Sequence, residues 1–280
     1  MRRDLVKKRD LERGSMRKDV SAMTLTPTIG LEVHVQLSTR SKMFCGCAIA
    51  FGDAPNSRTC PVCLGLPGAL PVINREAVAR AIMVATALKC TLHRTSTFHR
   101  KNYFYPDLPK NYQISQYETP IATDGELEFI LNGEPHTVGI KRVHMEEDAG
   151  KLVHDERRPV SLVDLNRTGT PLLEIVTDHE RCPLRSPEEA HSYLLALRSV
   201  VRYLGVSDCN MEEGSLRCDA NVSLSATPGV YGVKAEVKNL NSFKAVERAL
   251  AYEVRRQTHA LSSGAEIVQE TLLWEERARA

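Results

Sequence analysis

Four of the eight cysteines stand in two short motifs, Cys45-Gly-Cys47 and Cys60-Pro-Val-Cys63, with twelve residues between them. A Cys-x-Cys and a Cys-x-x-Cys at this distance can surround one tetrahedral zinc ion with thiolates, whereas disulfides within either pair would close strained rings. The intervening Gly52, Asp53, Pro55 and Asn56 are the turn-formers that a metal knuckle needs. Four sulfurs close the coordination sphere, so the zinc read here is structural, with a set of buried or redox-active thiols as the alternative. Cys90, Cys182, Cys209 and Cys218 fall in periodic apolar patterns and read as small core residues.

A second chemistry comes from acids. Glu32, Glu146, Glu147, Asp148, Glu212, Glu213, Asp219 and Glu236 lie in or beside strand-like segments. Crowded carboxylates raise one another's pKa unless a cation neutralises them, and magnesium, which bridges carboxylates to substrate phosphates, is the natural partner. The competing reading is a charge network with Arg142, Arg217, Lys234 and Lys238. His34 reads equally as a ligand, an acid/base or a polar-face histidine. The stretches Arg100-Lys-Asn-Tyr-Phe-Tyr-Pro-Asp107 and Lys110-Asn-Tyr-Gln-Ile-Ser-Gln116 mix cations, aromatics and amides. They suit stacking on single-stranded bases or a nucleotide, or else packing of a Tyr/Phe-rich strand pair on the core. Neither a P-loop nor a strand-linked Gly-x-Gly-x-x-Gly is present, so any ATP would bind by other means.

The elements that must carry these groups are legible from period-2 alternation. In 29–37, Ile29, Leu31, Val33, Val35 and Leu37 share one face and Glu32, His34 and Gln36 the other. In 215–224, Leu216, Cys218, Ala220, Val222 and Leu224 oppose Arg217, Asp219 and Asn221. A third strand, 233–238, buries Val233, Ala235 and Val237 and presents Lys234, Glu236 and Lys238. A fourth, 139–147, separates Arg142, His144 and Glu146 from Lys141, Val143 and Glu147, without saying which glutamate faces a site. Such alternation predicts an antiparallel sheet with one covered face, hence an α+β fold. Helices are predicted over 74–89, with Val78, Ala81, Ile82, Ala85 and Leu88 inward; from the capping box at Ser186 to a stop at Gly205; and from Ser242 through Val254.

The 280 residues suffice for one large domain, and no repeat or linker divides 25–280. No run approaches the ~18 apolar residues of a membrane span. With 37 basic and 35 acidic residues, the net charge of +2 excludes whole-molecule attraction to nucleic acid as the main binding force. Residues 1–19 carry eight basic and four acidic side chains, and 1–24 read as a basic, disordered extension. Transit peptides are poor in acids, which favours the cytoplasm over mitochondrial import.

The motifs Ile29-Gly-Leu-Glu-Val-His-Val35, the 100–107 stretch, His144-Met-Glu-Glu-Asp-Ala-Gly-Lys151, Val163-Asp-Leu-Asn-Arg-Thr-Gly-Thr-Pro171, Met211-Glu-Glu-Gly-Ser-Leu-Arg-Cys-Asp-Ala-Asn221 and Lys238-Asn-Leu-Asn-Ser-Phe243 resemble the B subunit of the glutamine-dependent aspartyl/glutamyl-tRNA amidotransferases. The resemblance implies a cradle akin to glutamine synthetase. It also implies ATP-dependent phosphorylation of the Glu or Asp carboxylate on misacylated tRNA(Gln) or tRNA(Asn), then displacement of phosphate by ammonia. Glu32, His34, Glu147, Glu212, Asp219 and Glu236 fall where the family's metal and nucleotide ligands lie. Glu32, His34, Glu147, Glu212 and Glu236 are the expected magnesium set, and Glu146, Arg217 and Lys238 are expected beside the nucleotide. Glu147 is preferred to Glu146 by the resemblance alone. An amidase, the family's A subunit, would supply the ammonia through a channel, with the small C subunit making up a heterotrimer.

The family continues beyond the Gln269-Glu-Thr271 segment into a helical domain and a tRNA-gripping tail, so this chain is expected to be truncated, with 262–280 poorly ordered. A non-catalytic zinc and RNA-binding fragment is the alternative to a catalytic cradle, and a stand-alone ligase or kinase of glutamine-synthetase type is a third reading.

Overall fold

A computed structural model describes residues 24–276 except 156 and 228. The basic extension, but for its last residue, and 277–280 lie outside the described residues. Strand β1 (Thr26–Gln36) follows the expected alternation: Ile29, Leu31, Val33 and Val35 are buried, while Glu32, His34 and Gln36 are half-buried on the other face. After β1 the chain enters the cysteine segment and then helix α1 (Arg75–Ala87), whose first N–H groups are capped by the Asn74 side chain.

Strands β2 (Thr91–Leu92), β3 (His99–Asn102), β4 (Tyr112–Ser115), β5 (Ala122–Leu131) and β6 (Glu134–Glu147) follow. A small β7–β8 ribbon (Lys151–His154, Ser161–Asp164) leads into β9 (Pro171–Thr177). Helix α2 (Pro187–Tyr203), β10 (Leu216–Ser225), β11 (Ala235–Lys238), α3 (Phe243–Ser262) and β12 (Thr271–Leu273) complete the order.

Ten strands form one sheet with the order β12-β11-β10-β1-β9-β6-β4-β3, and β5 joins through β6 with β2 at its far side. Every pairing among the described strands is antiparallel except β11 with β12. The fold is α+β with an antiparallel-dominated sheet. One apolar cluster joins the inner face of β1, β6, β9 and β10 to helices α1, α2 and α3. Ser186 and Ser242 cap α2 and α3 as their sequence positions require, and Gly205 ends α2 in the left-handed region at φ 65°.

Four local expectations are corrected. Helix α1 turns Ala77, Ala81, Val84 and Ala85 inward and leaves Ile82 exposed, because its small side chains let the backbone lie close against the sheet. Strand β11 begins at Ala235, so Val233 stays exposed. Cys182 is exposed in a turn at φ 51°, not in the core. Within 262–276, β12 pairs with β11, and Trp274 is partly buried, with its backbone N–H donating to the Lys238 carbonyl at 3.0 Å.

Gly139 sits where β6 passes beneath the turn after β9, two residues before Lys141 at a bulge in the β6–β9 ladder. A Cβ there would lie 2.2 Å from the Arg181 carbonyl oxygen. Gly139→Ala is expected to cost about 1–3 kcal/mol, read as a lower urea midpoint at constant m-value.

Candidate functional site

Register, not sequence proximity, builds the polar face. Arg217 on β10, His34 on β1, Glu174 on β9 and His144 on β6 are successive cross-strand partners. The row above reads Asp219, Glu32, Val176, Arg142, and the row below reads Gln36, Leu172, Glu146, Ser115. The pleat puts all of them on the face opposite the apolar cluster. His34 Nε2 lies 3.4 Å from Glu174 and 3.5 Å from Glu146, and the buried His144 ring lies 3.2 Å from Glu174. Donor atoms of His34, Glu146 and Glu174 fall within 4.8 Å of one another, so two carboxylates and an imidazole can meet one cation.

These groups perturb one another. Burial pulls the His34 imidazole down, but its hydrogen bond to Glu174 and the charges of Glu146 and Glu174 outweigh that and Arg217, holding it above its usual value. Burial pushes the Glu146 carboxyl up, against the opposing pull of His34 and with the help of Glu174. Burial also works against ionisation of Glu174, yet His144 and His34 outweigh it and hold that carboxyl well below the usual carboxylate range. One ionised carboxylate, one pushed towards protonation and an imidazole between them form a set able to hold a cation or a proton.

The five residues expected within reach of one or two magnesium ions, Glu32, His34, Glu147, Glu212 and Glu236, lie at separate places on and around the sheet. His34 belongs to the convergent group. Glu32, two residues along β1, accepts from Asn221 Nδ2 at 3.2 Å. Glu236 lies on β11 with Lys238 at 3.1 Å and Thr271 at 2.9 Å, and Asp219 takes the same lysine at 3.0 Å. Glu212 is exposed on the turn before β10, its N–H donating to Asn210. Glu147 follows the pleat to the other side of β6, where it pairs with Lys110 and accepts from the Ile114 N–H at 3.0 Å. Burial pushes its carboxyl up, with Lys110 opposing. Glu146, not Glu147, stands beside His34.

Two residues of the site receive no role from the sequence. Glu174 is the lone acid in Pro171-Leu-Leu-Glu-Ile-Val-Thr177, and a single carboxylate in a central apolar strand is the signal that could have found it. Asp148 stands among the crowded acids of the sequence with nothing to single it out. It is buried, and accepts from Arg217 at 3.0 Å and Gln36 at 2.9 Å with Arg167 at 3.5 Å.

Beside the polar rows, Glu32, Arg142, Lys141, Lys234, Asn221 and Tyr117 border an open cleft of about 520 Å³, which a further hollow of about 300 Å³ at Glu236 and Thr271 extends. The Arg142 guanidinium stacks on Tyr117 at 4.4 Å. In the aromatic strip, Phe104 and Tyr105 are exposed, not packed into the core.

The four motif sulfurs, Cys45, Cys47, Cys60 and Cys63, also lie within 4.8 Å of one another, which fits a single tetrahedral ion. A hydrogen bond from Cys45 stabilises the Cys63 thiolate, and despite burial Cys60 and Lys42 help bring its pKa down to about 4. The knuckle is riveted to the segment before β9. Asn56 bonds Asp164, Val163 and Leu165, and Arg58 N–H donates to Asn166 Oδ1 at 2.8 Å. Cys60→Ser is expected to lower zinc well below one ion per chain and to weaken hydrogen-exchange protection across 45–63 and 163–169 while α1–α3 stay protected. Uniform loss of protection would contradict a locally acting metal.

Comparison with known proteins adds family. The family model described as the GatB/GatE catalytic domain matches residues 27–280. The chain is 56% identical over 252 residues to the B subunit of the aspartyl/glutamyl-tRNA(Asn/Gln) amidotransferase of Carboxydothermus hydrogenoformans, covering 89% of this chain and 52% of that protein. It is 57% identical over 256 residues to the B subunit of the same amidotransferase from Thermomicrobium roseum, covering 90% and 52%. The chain thus spans about half the length of the curated relatives it matches. Among the described residues, no helix is long and apolar enough to cross a membrane.

Proposed function

Because the chain belongs to the family of GatB/GatE catalytic domains, we propose that it carries the amide-forming centre of a glutamine-dependent tRNA amidotransferase, a carbon–nitrogen ligase of the bacterial cytoplasm. Its substrates are ATP and Glu or Asp misacylated on tRNA(Gln) or tRNA(Asn). The side-chain carboxylate oxygen attacks the γ-phosphorus and ADP leaves. Ammonia then attacks the acyl carbon, and the C–O bond to phosphate breaks to give the amide and inorganic phosphate. The amidase, or A subunit, releases that ammonia from glutamine, and the small C subunit makes up the heterotrimer. The sheet is the cradle of a glutamine-synthetase-like fold.

The observation that carries this reading is the convergence of His34, Glu146 and Glu174 beside a cleft flanked by Lys141, Arg142 and Lys234. His34, Glu146 and Glu174 would hold magnesium, which supplies charge neutralisation to the phosphates and the incoming carboxylate. The three cations bordering the cleft oppose phosphate charge, and the Arg142 guanidinium, 3.7 Å from Glu174, stands closest to the convergent group. Glu32, Asp219 and Glu236, with Lys238 between the last two, order the far end of the nucleotide trough. Asp148 holds Arg217 at the base of the rows.

The test has two arms. Calorimetric titration of the chain with ATP should show binding that needs magnesium. Reconstitution of the chain with its amidase and small partners, glutamine and misacylated tRNA then asks for the amide. Binding of RNA through Tyr103, Phe104 and Tyr105 without any magnesium-dependent ATP binding would favour a zinc and RNA-binding module instead.

A further inference from the structure

Lys42 is a lysine with no solvent exposure, at the mouth of the cysteine knuckle. An ammonium has three N–H donors, and a buried one must find both acceptors and a counter-charge. Its Nζ donates to the Arg58 carbonyl at 2.7 Å, to the Leu165 carbonyl at 3.5 Å and to the Cys63 sulfur at 3.6 Å. Of these three acceptors only the sulfur can carry a charge. The three also belong to different parts of the chain: the knuckle loop, the segment before β9, and a thiolate of the candidate metal centre. Beneath them Gly169 holds a left-handed φ of 83°, and a Cβ there would make ordinary contacts with Lys42 Cδ at 3.6 Å, Cys63 Cβ at 3.7 Å and Glu147 Oε2 at 3.8 Å.

A divalent ion held by four thiolates carries a formal charge of −2, which a half-buried site has to offset. We propose that Lys42 is a positioning residue of the thiolate metal centre, its buried ammonium supplying the counter-charge to Cys63 while its two carbonyl bonds lock the knuckle to the segment before β9. This role rests on metal occupying the four cysteines. The dependence is mutual: metal-bound thiolate neutralises Lys42, and Lys42 lowers the electron density on that sulfur. Outer-shell partners of this kind typically control roughly 10–100-fold in metal affinity.

The experiment compares the full chain with Lys42→Met and Lys42→Arg, loaded with zinc or cobalt. Lys42→Met should lose metal to a chelator roughly ten times faster or more. Its sulfur-to-cobalt charge-transfer band should move to longer wavelength, because a sulfur relieved of a neighbouring cation ionises more easily. Lys42→Arg should restore both. A purely packing role would leave the band unmoved, and wild-type release kinetics with a wild-type band in Lys42→Met would overturn the proposal.

If Lys42→Met fails to fold, acylation of the wild-type chain read by peptide mass spectrometry decides: Lys42 should resist the reagent when zinc is bound and react after chelation. Equal labelling in both states overturns the role of Lys42. Failure of the wild-type chain to retain one metal ion overturns the metal reading itself, and the Lys42 proposal with it.

Discussion

Glu174→Gln in the proposed amidotransferase assembly is expected to lower ATP-dependent amide formation by roughly 10²–10³-fold, about 2.7–4 kcal/mol of transition-state stabilisation, the scale found when one preorganised electrostatic group is removed. The amide keeps the shape of the side chain but withdraws the negative charge that faces His34 at 3.4 Å and His144 at 3.2 Å. ATP cleavage should fall with amide formation, while tRNA affinity is retained and manganese binding, followed by electron paramagnetic resonance, weakens. The parallel variant Glu147→Gln separates two assignments. Paired with Lys110 on the far side of β6, Glu147 should influence the reaction without altering manganese binding. If Glu147→Gln abolishes manganese binding and Glu174→Gln does not, the ion belongs to the set implied by family resemblance and not to the rows described above.

Asp148→Ala should be the most damaging single change to stability at the site. The carboxylate is 3% exposed and collects Arg217, Gln36 and Arg167. Its backbone also bonds Thr170 and Gly169, so it joins the end of β6 to the approach to β9. Removing the anion from a buried pair typically costs 3–5 kcal/mol, and here the lower end, about 3 kcal/mol, applies. Both arginine side chains keep about a third of their exposure, at 35% and 33%, and water screens what is left. Asp148→Asn retains shape and some hydrogen bonding and should lose less. Urea unfolding of the two variants measures the difference, and equal stability of wild type and Asp148→Ala would remove Asp148 from the framework of the site.

What could be read from the chain follows the range of the interactions involved. The convergence of the four cysteines is legible because their sulfurs lie within nineteen residues of one another. The helix starts were legible because Asn74, Ser186 and Ser242 act on N–H groups two or three residues away. Strands β1 and β10 announced their faces because one side is covered and the other polar. The choice between Glu146 and Glu147 was not legible: alternation separates them, but only the pairing of β6 with β9 says which side meets His34. Glu174 hid for the opposite reason, since β9 is central and five of its seven residues are aliphatic or proline in near-continuous order. The acids divide between the two readings that composition left open. Asp148 with Arg217, and Asp219 and Glu236 with Lys238, form the charge network, while Glu146 joins His34. In α1 the larger Ile82 misled, because closeness of approach, not side-chain size, selects the alanine face.

The insertion of β9 between β1 and β6 also sets when the site can come into being. Without β9, His34 and Glu146 would stand on strands that have no partner in common; with it, they sit two strand spacings apart, roughly 9–10 Å between backbones, bridged by Glu174. His34 must find Glu174 across about 140 residues of chain and Arg217 across about 180, and pairings of such separation are the slow ones in folding. The cation capture proposed for this face therefore belongs to the final phase of folding, when β9 is zipped on both edges. In a refolding experiment, manganese uptake should rise with the slowest kinetic phase and be absent from any earlier compact state, which keeps half-made chains from sequestering the ion.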